Sequence, residues 1–399
     1  MAGNRCYNNR RRHRGSKLIG PGSTTVKKRV LVVLNYYYPY ISGLSEYARM
    51  VNEYLSAEFD ITVLTGRHDP SLQECETMRN VKVIRAKPLF PLHKGYISYD
   101  FILKYRTLSR QTDLIHLHLP MFESGLLSVI SPRSKPILAT YQCDVHGEGG
   151  LVDIIAAAVT KLSCRIALKR SAKITVLSND YAAGSPVLKG LENKWVEIYP
   201  PIKEIQCADN RQRGKGVAIG FIGRFVGEKG IDVLLNAIPA VLGKYPEARF
   251  LLAGDIDKVA GGSVYAQIQP KLEQLRSSIV VLGRIDESAL SGFYCGLDVF
   301  VLPSVNSYEA FGMVQVEAMK AGNLVVSTDM RGVRIPVQLT GNGEVVKPGD
   351  PVELANAIIR CLERLRIIQR EDVVKKTNMV FSNERTYHQY AELYNSLIK

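Results

Sequence analysis

Short apolar runs rich in Val, Ile and Leu recur along this chain, each closed by glycine, proline or a polar turn before helical spacing takes over. Lys28–Leu34, Asp60–Thr65, Val81–Arg85, Leu114–His118, Ile137–Thr140, Lys173–Leu177 and Val196–Tyr199 form a first set. Val217–Ile222, Arg249–Ala253, Ile279–Leu282, Leu297–Leu302 and Leu324–Thr328 form a second. Runs that are apolar at successive positions suit strands buried on both faces, as in parallel sheets. Between them, apolar residues at helical spacing predict helices near 45–57, 151–170, 230–243, 264–277 and 383–398, with a shorter one ending at Gly322. Strand–helix alternation, twice over, predicts an α/β protein of two doubly wound, Rossmann-like domains facing a central crevice. Pro200-Pro201 and the polar stretch to Gly216 read as the joint. The expected extents are 27–202 and 203–382, with 383–399 a terminal helix.

Composition alters this picture in two places. The 399 residues are 46% hydrophobic, enough for two full cores, yet no apolar run approaches the ~20 residues that span a bilayer. No secretory leader pattern opens the chain, and the seven scattered cysteines form no C-x-x-C pair; both point to a reducing cytoplasm, and the cysteines argue against structural zinc. The net charge is +14, but nine Lys and Arg lie within residues 1–29, which hold no Asp or Glu. The excess basicity therefore lies largely in residues 1–29, of which 1–26 read as a disordered tail that can meet phosphates or anionic lipid. Specific nucleic-acid binding would rest on that tail alone.

Candidate chemistry gathers after two strands of the second half. Ser307–Gly322 places Glu309 at a strand-to-helix turn and Glu317 in the helix that follows. Ligands of open α/β sheets bind at that edge. Phe311, Gly312 and Met313 bring backbone N–H groups to a helix start, where anions and polar oxygens are favoured. The two carboxylates can accept from separate sets of hydroxyls, as on a sugar and a ribose; they can equally serve only to favour a helix start. After the first strand of this half, Gly223 permits a turn, and Arg224 and Lys229 can converge on a diphosphate. In the first half the equivalent turn, 35–47, carries Gly43, which lets a ligand reach backbone N–H groups, and Glu46. Gln142, Asp144 and His146 follow a later strand toward the same edge and are candidate sugar contacts, Asp144 first among them. His116 and His118 read as buried, satisfied residues, since no third ligand spacing supports a metal.

Together these residues resemble the family 4 glycosyltransferases of GT-B fold, retaining enzymes that use nucleotide-sugars. The resemblance runs over roughly 28–399, with Glu309 to Glu317 as its E-x7-E signature and Gly223–Gly230 next in strength. Asp113–His118, Ser42–Glu46, Gly283-Arg284 and the terminal helix are weaker echoes. It implies that Glu309, Phe311 and Gly312 hold the donor sugar, Glu317 the ribose, and Arg224 and Lys229 the diphosphate. Arg284 would lie against the base, and the terminal helix would cross back onto the first domain. One departure is Gln142, where many members carry a histidine; glutamine can donate a hydrogen bond but cannot titrate.

The expected activity is transfer of a hexose from a UDP- or GDP-sugar to a hydroxyl of a glycan, glycolipid or lipid-linked acceptor. No nucleophile–base pair and no Asp-x-Asp motif stands in the crevice, so no cofactor or metal is expected. Arg224, Lys229 and Glu309 would carry the chemistry, with the leaving diphosphate itself accepting the proton. The acceptor falls to loops near 36–47, 88–100 and 120–150, and Leu89–Tyr96 offers apolar and basic residues for a peripheral membrane contact. The alternative is a non-catalytic scaffold or partner subunit of the same fold. An NAD-type oxidoreductase lacks the G-x-G-x-x-G its first strand needs.

Overall fold

The computed structural model describes residues 26–88, 90–92, 95–147, 150–207, 216–256 and 262–398. Most of the basic tail, part of the joint and much of the 89–96 loop thus lie outside the described residues.

The first sheet has eight strands: β1 (Arg29–Val33), β2 (Asp60–Gly66), β3 (Cys75–Met78), β4 (Val81–Ala86), β7 (Leu114–Leu119), β8 (Ile137–Tyr141), β9 (Lys173–Val176) and β10 (Trp195–Glu197). Phe90–Leu92 and Gly95–Ile97, β5 and β6, pair separately as an antiparallel hairpin. The sheet order is β10-β9-β8-β7-β1-β2-β4-β3, parallel except for β3 at the edge. β1 lies between β2 and β7, with Val33 opposite both Leu64 and Leu117. That is where strand order reverses, and the crevice opens there.

The second sheet comprises β11 (Ala218–Ile222), β12 (Arg249–Ala253), β13 (Ile279–Gly283), β14 (Val299–Leu302), β15 (Leu324–Thr328) and β16 (Gly343–Val346). Its order, β13-β12-β11-β14-β15-β16, is parallel throughout and reverses between β11 and β14. One core, from Phe221 and Phe250 to Phe300 and Ile358, fills this domain.

The helix Gly43–Leu55 starts on a capping box, in which Ser42 and Ser45 each satisfy the other's backbone N–H. The last helix, Asn383–Leu397, is capped by Ser382 and lies on the first domain. Its Tyr390 hydroxyl meets Thr140 at 3.2 Å, Thr175 at 3.0 Å and the Tyr47 hydroxyl, and its Tyr394 hydroxyl meets His116 Nδ1 at 2.7 Å. These hydroxyls satisfy polar groups that the first sheet would otherwise bury bare.

The cysteines depart from the sequence reading. Cys207 and Cys295 are disulfide-bonded across 88 residues, their Cα atoms 5.6 Å apart. Spacing hides the pair, because only the passage of the joint over the helix Glu287–Cys295 brings the two sulfurs together. No helix among the described residues is long and apolar enough to cross a membrane.

Candidate active site

Adjacency of β11 and β14 builds the site. β11 ends at Ile222, and the chain turns through Gly223 and Arg224 into a short 3₁₀ segment, Gly227–Lys229. Gly230 follows at φ 64°, and a Cβ there would lie 2.0 Å from the Pro303 carbonyl oxygen. Only glycine permits that approach, which carries Lys229 to the loop after β14. There Lys229 Nζ meets Glu309 Oε2 at 2.5 Å, both side chains mostly buried. Arg224 is more exposed and pairs with Glu228 at 2.7 Å.

Gly312, at φ 75°, caps the helix Met313–Lys320, and a Cβ there would meet Leu302 at 2.4 Å. The first amides of this helix have no partner within it, so the turn presents donors beside Glu309. The side chain of Phe311 braces the turn. Its ring is buried against Tyr199 and Phe381, 6.0 and 5.8 Å away, and fixes the turn from behind. Gln315 ties the same turn down, donating to the carbonyls of Phe311 and Val333.

Glu317 is buried one helical step deeper. Burial pushes its carboxyl above the usual range, while the Tyr294 hydroxyl, donating at 2.7 Å, and the charge of Lys203 pull the other way. Glu46, expected to touch sugar, belongs to the same ionic cluster. It pairs with Arg49 at 3.0 Å and with Lys203 of the joint at 2.9 Å. Burial raises its pKa, but those two hydrogen bonds outweigh burial and leave it low. Arg49 and Lys203 also reach Glu287 of the second domain. The cluster thus links both domains and the joint beside Glu317. Sequence reasoning missed it, since Arg49, one helical turn from Glu46, is its only local signal.

On the first-domain side, Asp144 Oδ1 accepts from the hydroxyls of Tyr141 and Ser185, each at 2.7 Å, so this oxygen holds the loop in place. Gln142 Nε2 lies 3.3 Å from His118 Nδ1. His146 crosses the crevice: its Nε2 lies 2.6 Å from Ser307 Oγ, and the Tyr308 hydroxyl donates to its carbonyl. A second link joins Asp180 to Arg334 at 2.6 Å and to the Gly332 amide at 2.8 Å. Gly43 opens its helix at an exposed position, and Arg284 is exposed just after β13. The structure therefore groups Lys229, Glu309, Arg224 and the 311–313 turn at one edge, sets Glu317 behind them, and faces them with His146.

Two Rossmann-like domains meeting across such an edge form the GT-B arrangement. Residues 41–202 match the family model described as Glycosyltransferase Family 4, and residues 216–364 match that of Glycosyl transferases group 1. The chain belongs to this family of glycosyltransferases. It is 26% identical over 327 residues to an uncharacterized glycosyltransferase of Methanocaldococcus jannaschii, covering 76% of this chain and 80% of that one. It is also 26% identical over 277 residues to the phosphatidyl-myo-inositol mannosyltransferase of Mycobacterium tuberculosis H37Rv, 68% of each chain. Among solved structures, sucrose-phosphate synthase from Thermosynechococcus elongatus superposes with a TM-score of 0.78 at 21% identity, over 93% of this chain and 99% of that one.

Proposed function

We propose that this glycosyltransferase moves a hexosyl group, with retention and without a metal, from a nucleoside-diphosphate sugar to a hydroxyl of a lipid-linked acceptor. The observation that carries the reading is the Lys229–Glu309 contact at the β11/β14 edge. With no donor bound, each group neutralises the other. A donor laid across the edge offers its diphosphate to Lys229 and Arg224 and its sugar hydroxyls to Glu309, so the pair exchanges partners. Glu317 then serves the ribose.

As the bond from the anomeric carbon to the diphosphate oxygen breaks, negative charge grows on the leaving group. Lys229, Arg224 and the amides of the 311–313 turn face that charge, which is why no metal is invoked in this reading. The acceptor oxygen bonds to the same face of the anomeric carbon, and its proton passes to the departing diphosphate. Gln142, buried against His118, does not titrate and so cannot act as the base, which favours the leaving group in that role. The lipid-linked class of acceptor is supported by the mycobacterial relative, whose name places a mannosyl group on phosphatidyl-myo-inositol.

The test is a thermal-shift titration with UDP, GDP, ADP and TDP. Saturation at ~100 times the dissociation constant adds about 2.7 kcal/mol of stability, so one of the four raises the melting temperature clearly. No shift with any of them would transfer the chain to the non-catalytic scaffold reading.

A further inference from the structure

One helix in a layer on the first domain turns most of its large apolar residues outward. Tyr99–Gln111, Ser124–Ile130 and Leu151–Arg170 pack side by side over the first sheet. On the longest, Leu151, Ile155, Val159, Leu162 and Ile166 fall on one stripe at successive helical turns, and they are 41–73% exposed. Val152 and Ile154, both more than half exposed, widen its N-terminal end, and Leu126 and Val129 extend it onto the neighbouring helix. The residues this helix buries are small or few: Ala157, Cys164, Ala167 and Leu168. A helix facing water carries the opposite pattern.

The border of the stripe is cationic. Lys161 and Arg165 flank one side, Lys169 closes its end, and Arg170 lies on the other side. The only acid on this helix, Asp153, lies on the far side from the stripe. Two copies of the chain paired through this face would bring like charges together. A bilayer of anionic lipid answers both features, taking the apolar stripe among its acyl chains and the cations among its headgroups.

We infer that the helix Leu151–Arg170 lies flat on an anionic membrane surface and docks the enzyme there. This rests on the lipid-linked acceptor proposed above and gives it a geometry. The exposed row, ~22 Å long at helical rise, starts where Gly147 packs against Ile154, directly after His146 has crossed to Ser307. Docking by this face therefore sets the mouth of the crevice at the headgroups, within reach of an anchored acceptor.

Co-sedimentation of the full chain with vesicles tests this, using phosphatidylcholine alone and phosphatidylcholine mixed with phosphatidylglycerol. The mixed vesicles are expected to retain the wild type. The triple variant L151S/I155S/L162S and the double variant K161E/K169E are each expected to lose at least about tenfold in partitioning. All three substituted apolar positions are exposed, so the variants keep the wild-type melting temperature and nucleotide shift. Failure of the wild type to bind anionic vesicles overturns the inference. So does undiminished binding by the triple variant, which would assign the contact to the basic N-terminal residues. A wild-type dimer that the triple variant converts to monomer would make the stripe a self-association face instead. Because nucleotide shifts are read without vesicles, failure of docking and failure of the glycosyltransfer reading are separate results.

Discussion

Replacing Glu123 by Gln probes a buried carboxyl at the edge of the first domain. Glu123 caps the helix Ser124–Ile130 without a side-chain cap bond, is 8% exposed, and has no partner for Oε2 among the described residues. Burial pushes its pKa from 4.5 up to about 7. Between those values the folded protein holds a proton that the unfolded chain has lost. Stability from this site is thus greatest below pH 4.5, falls as pH rises through the window, and levels off above about 7. At about 1.36 kcal/mol per pKa unit, the loss between about pH 5 and about pH 8 is on the order of 2–3 kcal/mol. Glutamine keeps the shape and removes the titration. Urea unfolding of both proteins at about pH 5 and about pH 8 supplies the comparison, and their difference cancels every other titrating group. The variant is expected to gain that 2–3 kcal/mol over wild type across the interval. Parallel pH curves for the two proteins would refute the burial argument.

Lys229→Met and Arg224→Ala are each expected to cut turnover by about 10²-fold or more, read as nucleoside-diphosphate release; unchanged turnover in both would remove them from the chemistry. His118 is buried and its pKa is pulled down to about 3. As pH falls below 6.5 the unfolded chain takes up a proton that the folded site refuses, so stability declines toward acid. His118→Asn, which can still face Gln142, should flatten that decline in melting temperature, and an unaltered slope would count against it. Tyr390→Phe strips the hydroxyl from Thr140, Thr175 and Tyr47 and should cost about 1–3 kcal/mol in urea unfolding. An unmoved midpoint would show that the terminal helix is not held by this hydroxyl.

The parallel strands were legible because burial on both faces leaves continuous apolar runs, as in Val30–Leu34 and Val299–Leu302. The edge strand Cys75–Met78 was not, since it is only partly buried and carries Glu and Thr. The helix Pro351–Arg364 had its signal, with Asp350 capping and Pro351 at the first position, a pattern that local sequence can reveal. At the site, Glu309 and Lys229 were identifiable as residue types after strands, and the buried, satisfied state of His116 was foreseeable. Their partners were not. Lys229 meets Glu309 through a glycine approach to Pro303, and Phe311 turns inward because Phe381, 70 residues on, waits behind it. The cluster of Glu46, Arg49, Lys203 and Glu287 exists only once the two domains dock. Cys207 and Cys295 share that dependence on the joint.

The exchange of Lys229 from Glu309 to a donor diphosphate is the centre of this account, and calorimetric titration tests it most directly. UDP and GDP are each titrated into wild type and Lys229→Met, with uridine and guanosine as controls. One diphosphate is expected to bind the wild type and to bind the variant at least about tenfold more weakly, a difference its nucleoside does not show. Equal affinity for the two proteins, or no binding by either, would contradict it.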